Sequence, residues 1–464
     1  MKRPIGLLLL LAGCTVGPDY APPAQQVPSQ FAERPGATRA LEQAWWKILE
    51  DSVLDGLIAG AMTDSPDLDV AAGRIEEARA EAAAVGAADW PHADADAGYR
   101  RQHGSAHVPV GTPPGGIGPN IGSNRWLVGF DSGWEIDVFG GRRRAIESAS
   151  ATLEAVTADR RDAELSLTAE IARDYIALRA EQRRLQIARD VVEIRRDLVK
   201  LVAARFDSGL AGAVELARAR AELEAGDADL ANRQAGERSA IYRLGILVGR
   251  PPEELLPLLA PPRPIPAAAQ DVPVGLPSDL LRRRPDIRAA ERRVAAANAR
   301  IGMVEADLYP HFALTGAIGF ESLHADNFLT GPSRYLTIGP SVDWLVFDAG
   351  RVRDEALAEH ARTDQAAARY RKAVLGALAE VEAALVAHGQ TLAARQSLAR
   401  ELAADRQALE LARTLYGKGL EDFLTVLDAE RAERAAEFDL AKADEDCAAS
   451  LVALIKALGG GWQD

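Results

Sequence analysis

Two short stretches carry residue types whose spacing could do chemistry. In FLTVLDAER, residues 423–431, a helical reading sets Leu424 and Asp428 on one face, with Leu427 and Arg431 beside them. Asp428 and Arg431 there read as a surface i,i+3 pair, or as a charged ring if copies of the chain meet on an axis. At the other end, Lys2 and Arg3 precede an apolar run from Ile5 to Leu11, followed by Ala12, Gly13 and Cys14. The run is too short to span a bilayer but suits an export signal. L-A-G-C resembles the bacterial lipobox, in which cleavage before the cysteine leaves its thiol and new amino terminus to be acylated. Several acyl chains anchor durably where one binds only marginally. Thr15, not aspartate, follows the cysteine, so nothing signals inner-membrane retention.

Other reactive residues form no site. His103 and His107 are four apart in or beside a Gly/Pro-rich stretch, with no third ligand near in sequence. GGIGPNIG lacks the spacing and context of a dinucleotide loop. GxSxG, HExxH and phosphate-loop patterns are absent, and Cys447 lies in an Ala-rich helical stretch as a small core residue. The chain reads as a non-enzyme with no cofactor and no metal. With 54 basic and 68 acidic residues, net −14, its surface is unsuited to nucleic acid. Hydrophobic content is 48% but aromatic content only 5%, so alanine makes up much of the apolar count and long helices are favoured.

The elements that must position these residues are written twice. SPDLDVAAGRIEEARAEAAAVGAADWPH, from Ser65, parallels RPDIRAAERRVAAANARIGMVEADLYPH, from Arg284. Pro66, Pro91 and His92 recur as Pro285, Pro310 and His311, each 219 residues on. Phe139 recurs as Phe347, Gly209 and Leu210 as Gly419 and Leu420, and Gly249 as Gly459. Colinear matches over the whole length mark a duplicated unit, with proline-rich residues 250–278 as the seam.

Each copy opens with a helix of roughly two dozen residues that ends at Pro91 or Pro310. Period-two alternation follows. Trp126, Val128, Phe130, Trp134, Ile136 and Val138 share one face, opposite Asp131, Glu135 and Asp137. In the second copy Phe312, Leu314, Ile318 and Phe320 alternate with small or polar residues, and Leu336, Ile338, Val342, Trp344 and Val346 oppose Thr337, Ser341 and Asp343. Residues 94–101 alternate more weakly, giving two strands per copy. Four strands cannot close a barrel alone, and an open sheet in lipid leaves backbone groups unsatisfied, so insertion demands several chains. Next come unbroken helical patterns from Gly141 to Phe206 and from Gly350 to Tyr416, each roughly 90 Å long. Ile171, Leu178, Leu185, Val192, Val199 and Phe206 fall at every seventh position, the coiled-coil period. Gly209 and Gly419 then turn the chain into returning helices.

Four stretches carry a family likeness: CTVGPDYAPP (14–23), WWKILEDSVLDGLI (45–58), RPDIRAAERRV (284–294) and YGKGLEDFLTVLDAER (416–431). With the lipobox and the duplication, the chain resembles the outer membrane factors, the TolC-like ducts of tripartite efflux pumps, in the lipoprotein branch serving RND-type transporters. The resemblance implies a mainly α protein with transmembrane β: a homotrimer whose twelve-stranded β-barrel, four strands per chain, joins a trimeric α-barrel of long coiled-coil helices. It implies a passive duct for small molecules, working with a periplasmic adaptor and an inner-membrane RND-type transporter. It places the protein in the bacterial outer membrane, held also by lipid on Cys14, and extending into the periplasm. Leu424, Asp428 and Arg431 would form an iris-like periplasmic gate, Val214 and Arg218 being the first-copy residues at the places of Leu424 and Asp428. Gly209, Leu210, Gly419 and Leu420 would be adaptor-docking turns, and Trp126, Phe130, Trp134, Phe312 and Trp344 would face lipid. The expected organisation is a signal peptide (1–13), an acylated segment with the first equatorial part (14–65), a first repeat (66–249), the linker (250–278), a second repeat (279–459) and a tail (460–464). The other reading of the residues is a structural periplasmic coiled-coil lipoprotein without channel activity.

The mature chain is expected to begin at Cys14 and to carry acyl chains there. Intact mass of the purified protein checks this; an unmodified chain starting at Met1 would refute it.

Overall fold

The computed structural model describes residues 15–33, 44–103, 123–209, 211–267, 274–418 and 420–460. Cys14, His107, Leu210, Gly419 and the GGIGPNIG stretch lie outside the described residues. In chain order the elements are α1 (Ser52–Asp64), α2 (Pro66–Ala87), β1 (His92–Gln102), β2 (Ser123–Ile136), α3 (Gly141–Asp207), α4 (Ala213–Leu247), α5 (Pro252–Leu259), α6 (Pro277–Arg283), α7 (Pro285–Ala306), β3 (His311–Ser322), β4 (Arg334–Asp343), α8 (Arg351–Gly417) and α9 (Phe423–Ala457). The duplication extends to element length. Helices α2 and α7 each have 22 residues, α3 and α8 each 67, and α4 and α9 each 35. At 1.5 Å per residue, α3 and α8 are each about 100 Å long. No helix among the described residues is long and apolar enough to cross a membrane.

The chain forms two compact units. The first comprises residues 1–23, 75–155 and 291–369. It holds one antiparallel sheet in the order β1-β2-β3-β4, with a continuous register from His92 opposite Gly133, through Trp134 opposite Leu314, to His311 opposite Asp343. β4 ends earlier than the alternation predicts: Trp344 and Val346 lie beyond it. The reason is its neighbour, because β3 begins at His311 and offers nothing opposite Trp344. Tyr335 lies over two glycines on one face. A Cβ at Gly129 would meet its hydroxyl at 2.4 Å, and one at Gly319 its ring at 2.8 Å, so the ring covers gaps left by missing side chains.

An amino-terminal strap also belongs to this unit. Val16 N–H donates to Phe139 O at 2.9 Å, and Asn298 Nδ2 donates to Pro18 O at 2.9 Å. The buried Arg144 donates to the carbonyls of Val16 and Gly17, both at 3.1 Å, and pairs with Asp19 at 2.8 Å. Gly17 has φ +88°, and a Cβ there would lie 2.3 Å from Gly302 Cα; two glycines let the backbones touch. The duplication does not repeat this notch: Ala83 of the first copy stands where Gly302 would recur, and Asp354 of the second where Arg144 would.

The second unit comprises residues 24–74, 156–290 and 370–464. Asp51 caps α1, accepting from Val53 and Leu54 N–H at 2.8 and 3.2 Å, and its other oxygen accepts from Tyr175 Oη at 2.7 Å. Burial, reinforced by that carboxylate, pushes the Tyr175 phenol up to about 12. One turn on, Arg179 is fully buried, with its guanidinium 4.7 Å from the Tyr175 ring centroid. It donates to Gln182 Oε1 at 2.6 Å and to Leu259 O and Pro261 O at 3.1 and 3.0 Å, pinning the first residues of the proline-rich seam to α3. Ile171, Leu178, Leu185 and Val192 are buried, but Phe206, at the end of the same heptad series, is exposed and Val202 is buried instead. A straight helix drifts about 20° per heptad, so five heptads carry the stripe off the packed face. His388, buried on α8, bonds Ser450 on α9 at 3.0 Å.

Glu437 is buried on α9 and accepts from Arg406 at 2.6 Å and Arg434 at 2.7 Å. Burial works against its charge, but the two guanidiniums outweigh it and hold the carboxyl below the usual range. A depressed folded pKa adds stability above the unfolded pKa of about 4.3, and that contribution is lost as pH falls through the folded value. Glu437→Gln should therefore lower stability by about 1–3 kcal/mol at neutral pH, and by progressively less below about pH 4. Thermal melts of both proteins across pH check it; a deficit that is constant with pH would refute it.

Candidate functional site

The sheet presents two chemically opposite faces. One carries Phe130 paired with Ile318, which in turn faces Leu336, and Trp134 paired with Leu314. Phe130 is 63% exposed and Ile318 57%, an apolar surface that none of the described residues covers. The other face carries Asp94 opposite Asp131, with Ala317 and Thr337 next in line, and then Glu135, His311 and Asp343. His311 Nδ1 lies 2.9 Å from Glu135, and Arg142 pairs with Glu135 at 2.8 Å. Asp131, Glu135, Arg142, His311 and Asp343 line a concavity of about 780 Å³. Among the described residues no acidic or histidine cluster has metal-site geometry.

Aromatic rings bracket the apolar face. At one end Tyr99 packs on Trp126 with centroids 4.4 Å apart, and Phe328 lies 6.2 Å from Trp126. At the other, Phe139 stacks on Tyr309 at 4.6 Å; Trp134 Nε1 donates to Asp89 O at 2.9 Å and Trp344 Nε1 to Leu308 O at 3.2 Å. Trp126 and Trp134 are eight residues apart on one strand, about 27 Å. Outer-membrane barrels have an apolar band about 25 Å tall between aromatic girdles and strands tilted by about 35–45°, at which this spacing spans about 19–22 Å of height, most of that band.

The second cluster lies where α9 begins. Asp422 caps that helix, accepting from Thr425 N–H at 3.0 Å. Val426 packs against Leu409 and Ala412 of α8, which turns Leu424 outward to 48% exposure. Val214, the first-copy counterpart, is 65% exposed. Asp428 is also exposed, 3.6 Å from Arg431. The main partner of Arg431 is Glu222 of α4, a residue that no sequence pattern singles out. Glu222 also pairs with Arg195 of α3 at 3.1 Å, and its carbonyl accepts from the same guanidinium at 2.7 Å. An alternating ladder, Arg195–Glu222–Arg431, thus ties the two helix pairs together. Glu222 and Arg431 are 209 residues apart, and no local spacing could reveal the pair. Of the expected docking residues, Gly209 closes α3 with φ +71°, and Leu420 is exposed.

A two-faced sheet with aromatic girdles, carried on long paired helices, defines a channel-forming protein of the outer membrane. The family model described as "Outer membrane efflux protein" matches residues 57–250 and 276–460. Nodulation protein T of Rhizobium leguminosarum bv. viciae is 31% identical over 98% of this chain and 92% of that protein. The toluene efflux pump outer membrane protein TtgF of Pseudomonas putida is 31% identical over 99% of this chain and 96% of its own. The solved outer-membrane channel OprN superposes with a TM-score of 0.88 at 36% identity, covering 97% of this chain and all of that one. The chain belongs to the outer membrane efflux protein family, the TolC-like outer membrane factors of tripartite efflux pumps. Its relatives are channels and not enzymes, which sets aside the reading as a coiled-coil lipoprotein without channel activity.

Phe130→Arg should cost about 2–4 kcal/mol of membrane-inserted stability, as a cation on the lipid face of a barrel does near midplane. Asp131→Asn, one residue along on the polar face, should cost little. Yields of folded, membrane-extracted protein compare the two; equal yields would refute the assignment of faces.

Proposed function

We propose that the chain is one third of a homotrimeric duct, gated at its periplasmic entrance by Leu424, Asp428 and Arg431. Twelve strands, four from each copy, close the membrane barrel, and the polar face of the sheet, with Asp94, Asp131 and Glu135, lines its lumen. Phe130, Trp134, Phe312 and Trp344 face lipid, and Trp126 sits in the interfacial girdle. Acyl chains on Cys14 add a second hold on the outer membrane. The duct takes its cargo from an adaptor and an inner-membrane RND-type transporter, so selectivity resides largely upstream. The names of relatives, toluene efflux for TtgF and cation efflux for CusC of Escherichia coli, fit one passive scaffold serving different small molecules.

The observation that carries the gate is the Arg431–Glu222 pair. It ties the helix bearing Leu424 and Asp428 to the helix pair of the other copy, so those residues cannot swing outward without breaking it. Leu424 supplies an apolar ring and Asp428 an acidic one. Three carboxylates about 6 Å apart at an effective dielectric near 20 repel by roughly 3 kcal/mol per pair before screening. Such a ring holds only when hydrated, protonated or offset by cations such as Arg431, and it draws cations to the entrance. Docking of adaptor hairpins at the turns around Gly209–Leu210 and Gly419–Leu420 supplies the energy to dilate it.

Replacing Leu424 and Arg431 together with serine should raise single-channel conductance in planar bilayers, and Glu222→Gln should reproduce part of the rise. Asp428→Asn should weaken block by divalent or trivalent cations added from the periplasmic side. Unchanged conductance and block in correctly assembled trimers would leave Asp428 a solvated helix charge and remove the gate.

A further inference from the structure

The apolar face of the sheet is sorted by charge along its length. Residues directly opposite one another share a face, so Arg101 opposite Asn124 lies on the side of Tyr99 and Trp126, and Arg334 lies on the side of its neighbour Phe320. Across the four strands these two arginines are the only charged side chains on that face. The acidic residues of the strands, Asp94, Asp96, Asp131, Glu135, Glu321 and Asp343, all take the other face. Both arginines also mark one end. Arg101 is the last residue but one of β1 and Arg334 the first of β4, at the end remote from the junctions with α2, α3, α7 and α8. In a chain of net −14 this end is basic: no Asp or Glu occurs between Ala97 and Phe130, a span that holds Arg100, Arg101 and Arg125. At the junction end the same face offers Trp134, Ile136 and Phe312 and no cation.

We propose that Arg101 and Arg334 bind the phosphate groups of lipopolysaccharide, the phosphorylated glycolipid of the outer leaflet. Both residues are exposed, and among the described residues no carboxylate pairs with either. By contrast Arg125, on the opposite face, is taken up by Glu321 at 2.8 Å. The surroundings suit a headgroup. Tyr99, two residues before Arg101, packs on Trp126, and its hydroxyl donates to Asn124 Oδ1 at 3.0 Å. The Arg334 guanidinium carbon lies 5.9 Å from the Phe320 ring centroid. A guanidinium presents a fork of N–H donors that matches phosphate oxygens, and its apolar stem lets the charge reach headgroup level from a greasy surface. On the lipid side of a barrel a cation stands at little cost only near an interface, which is where strand ends lie. The two rims of the apolar face thus meet different chemistry: aromatic rings alone beside the helices, rings with cations at the far end.

This inference rests on the reading above that the helices reach into the periplasm, which turns the arginine end outward, and the test separates the two. Detergent-extracted, delipidated protein is titrated with bisphosphorylated lipid A, and native mass spectrometry counts the bound lipid. Arg101→Gln or Arg334→Gln alone should weaken binding about fivefold, and both together roughly 30-fold. Arg100→Gln removes the same charge one residue along, on the polar face, and should leave binding unchanged. Lipid A stripped of its phosphates should bind every variant alike. Wild-type affinity in the double variant, an equal loss in Arg100→Gln, or equal binding of the stripped lipid to the wild type overturns the site. Orientation is read apart from this, with His324→Cys in the β3–β4 turn of a Cys447→Ala background. An impermeant maleimide should label it on intact cells. Labelled cells without the lipid effect overturn the site alone; label only after lysis overturns the orientation and the site with it.

Discussion

Hydrocarbon offers no hydrogen bonds, and that single property governs how this chain can be built. A four-stranded sheet set into lipid leaves two rows of backbone N–H and C=O groups without water to satisfy them. Each unpaired group costs several kcal/mol, far more than any side-chain contact on the sheet returns. A four-stranded sheet is therefore incomplete in that solvent, and satisfying its two free edges is what the proposed homotrimer would do.

The same requirement divides the two faces. Phe130 and Ile318 point one way and Asp131 and Ala317 the other, and a slip of one residue would exchange them wholesale. An apolar face on one side and a polar face on the other thus specify a single register. Tyr335 over Gly129 and Gly319 adds a local lock where the strands lack side chains of their own.

Much of this was legible in the residues. Period-two alternation placed the strands, and matched prolines, histidines and glycines exposed the repeat, because these features depend only on neighbours in sequence. The lengths of α3 and α8 were nearly right for the same reason. The misreadings share a cause. β4 stops at Asp343 because its neighbour stops, and Phe206 leaves the packed stripe because helical drift accumulates over five heptads. Glu222, the partner that makes Arg431 intelligible, comes from the far half of the chain and carries no pattern of its own. Tertiary pairing of distant charges is what a single sequence hides best.

The strap has a consequence for how the copies tell self from neighbour. Two repeats with equivalent hairpins could in principle trade places between chains, each hairpin completing the wrong molecule, which is the route by which identical elements become domain-swapped. Residues 16–20 lie in the notch at Gly302 and under Arg144, beside the seam between the chain's own two hairpins. The repeat-related positions carry Ala83 and Asp354, which offer neither the glycine gap nor the guanidinium. A chain whose hairpins were exchanged would present its strap to the wrong groove and lose the buried bonds of Arg144. The strap thus distinguishes the chain's own two repeats by residues that occur at only one of the paired positions, Gly302 and Arg144.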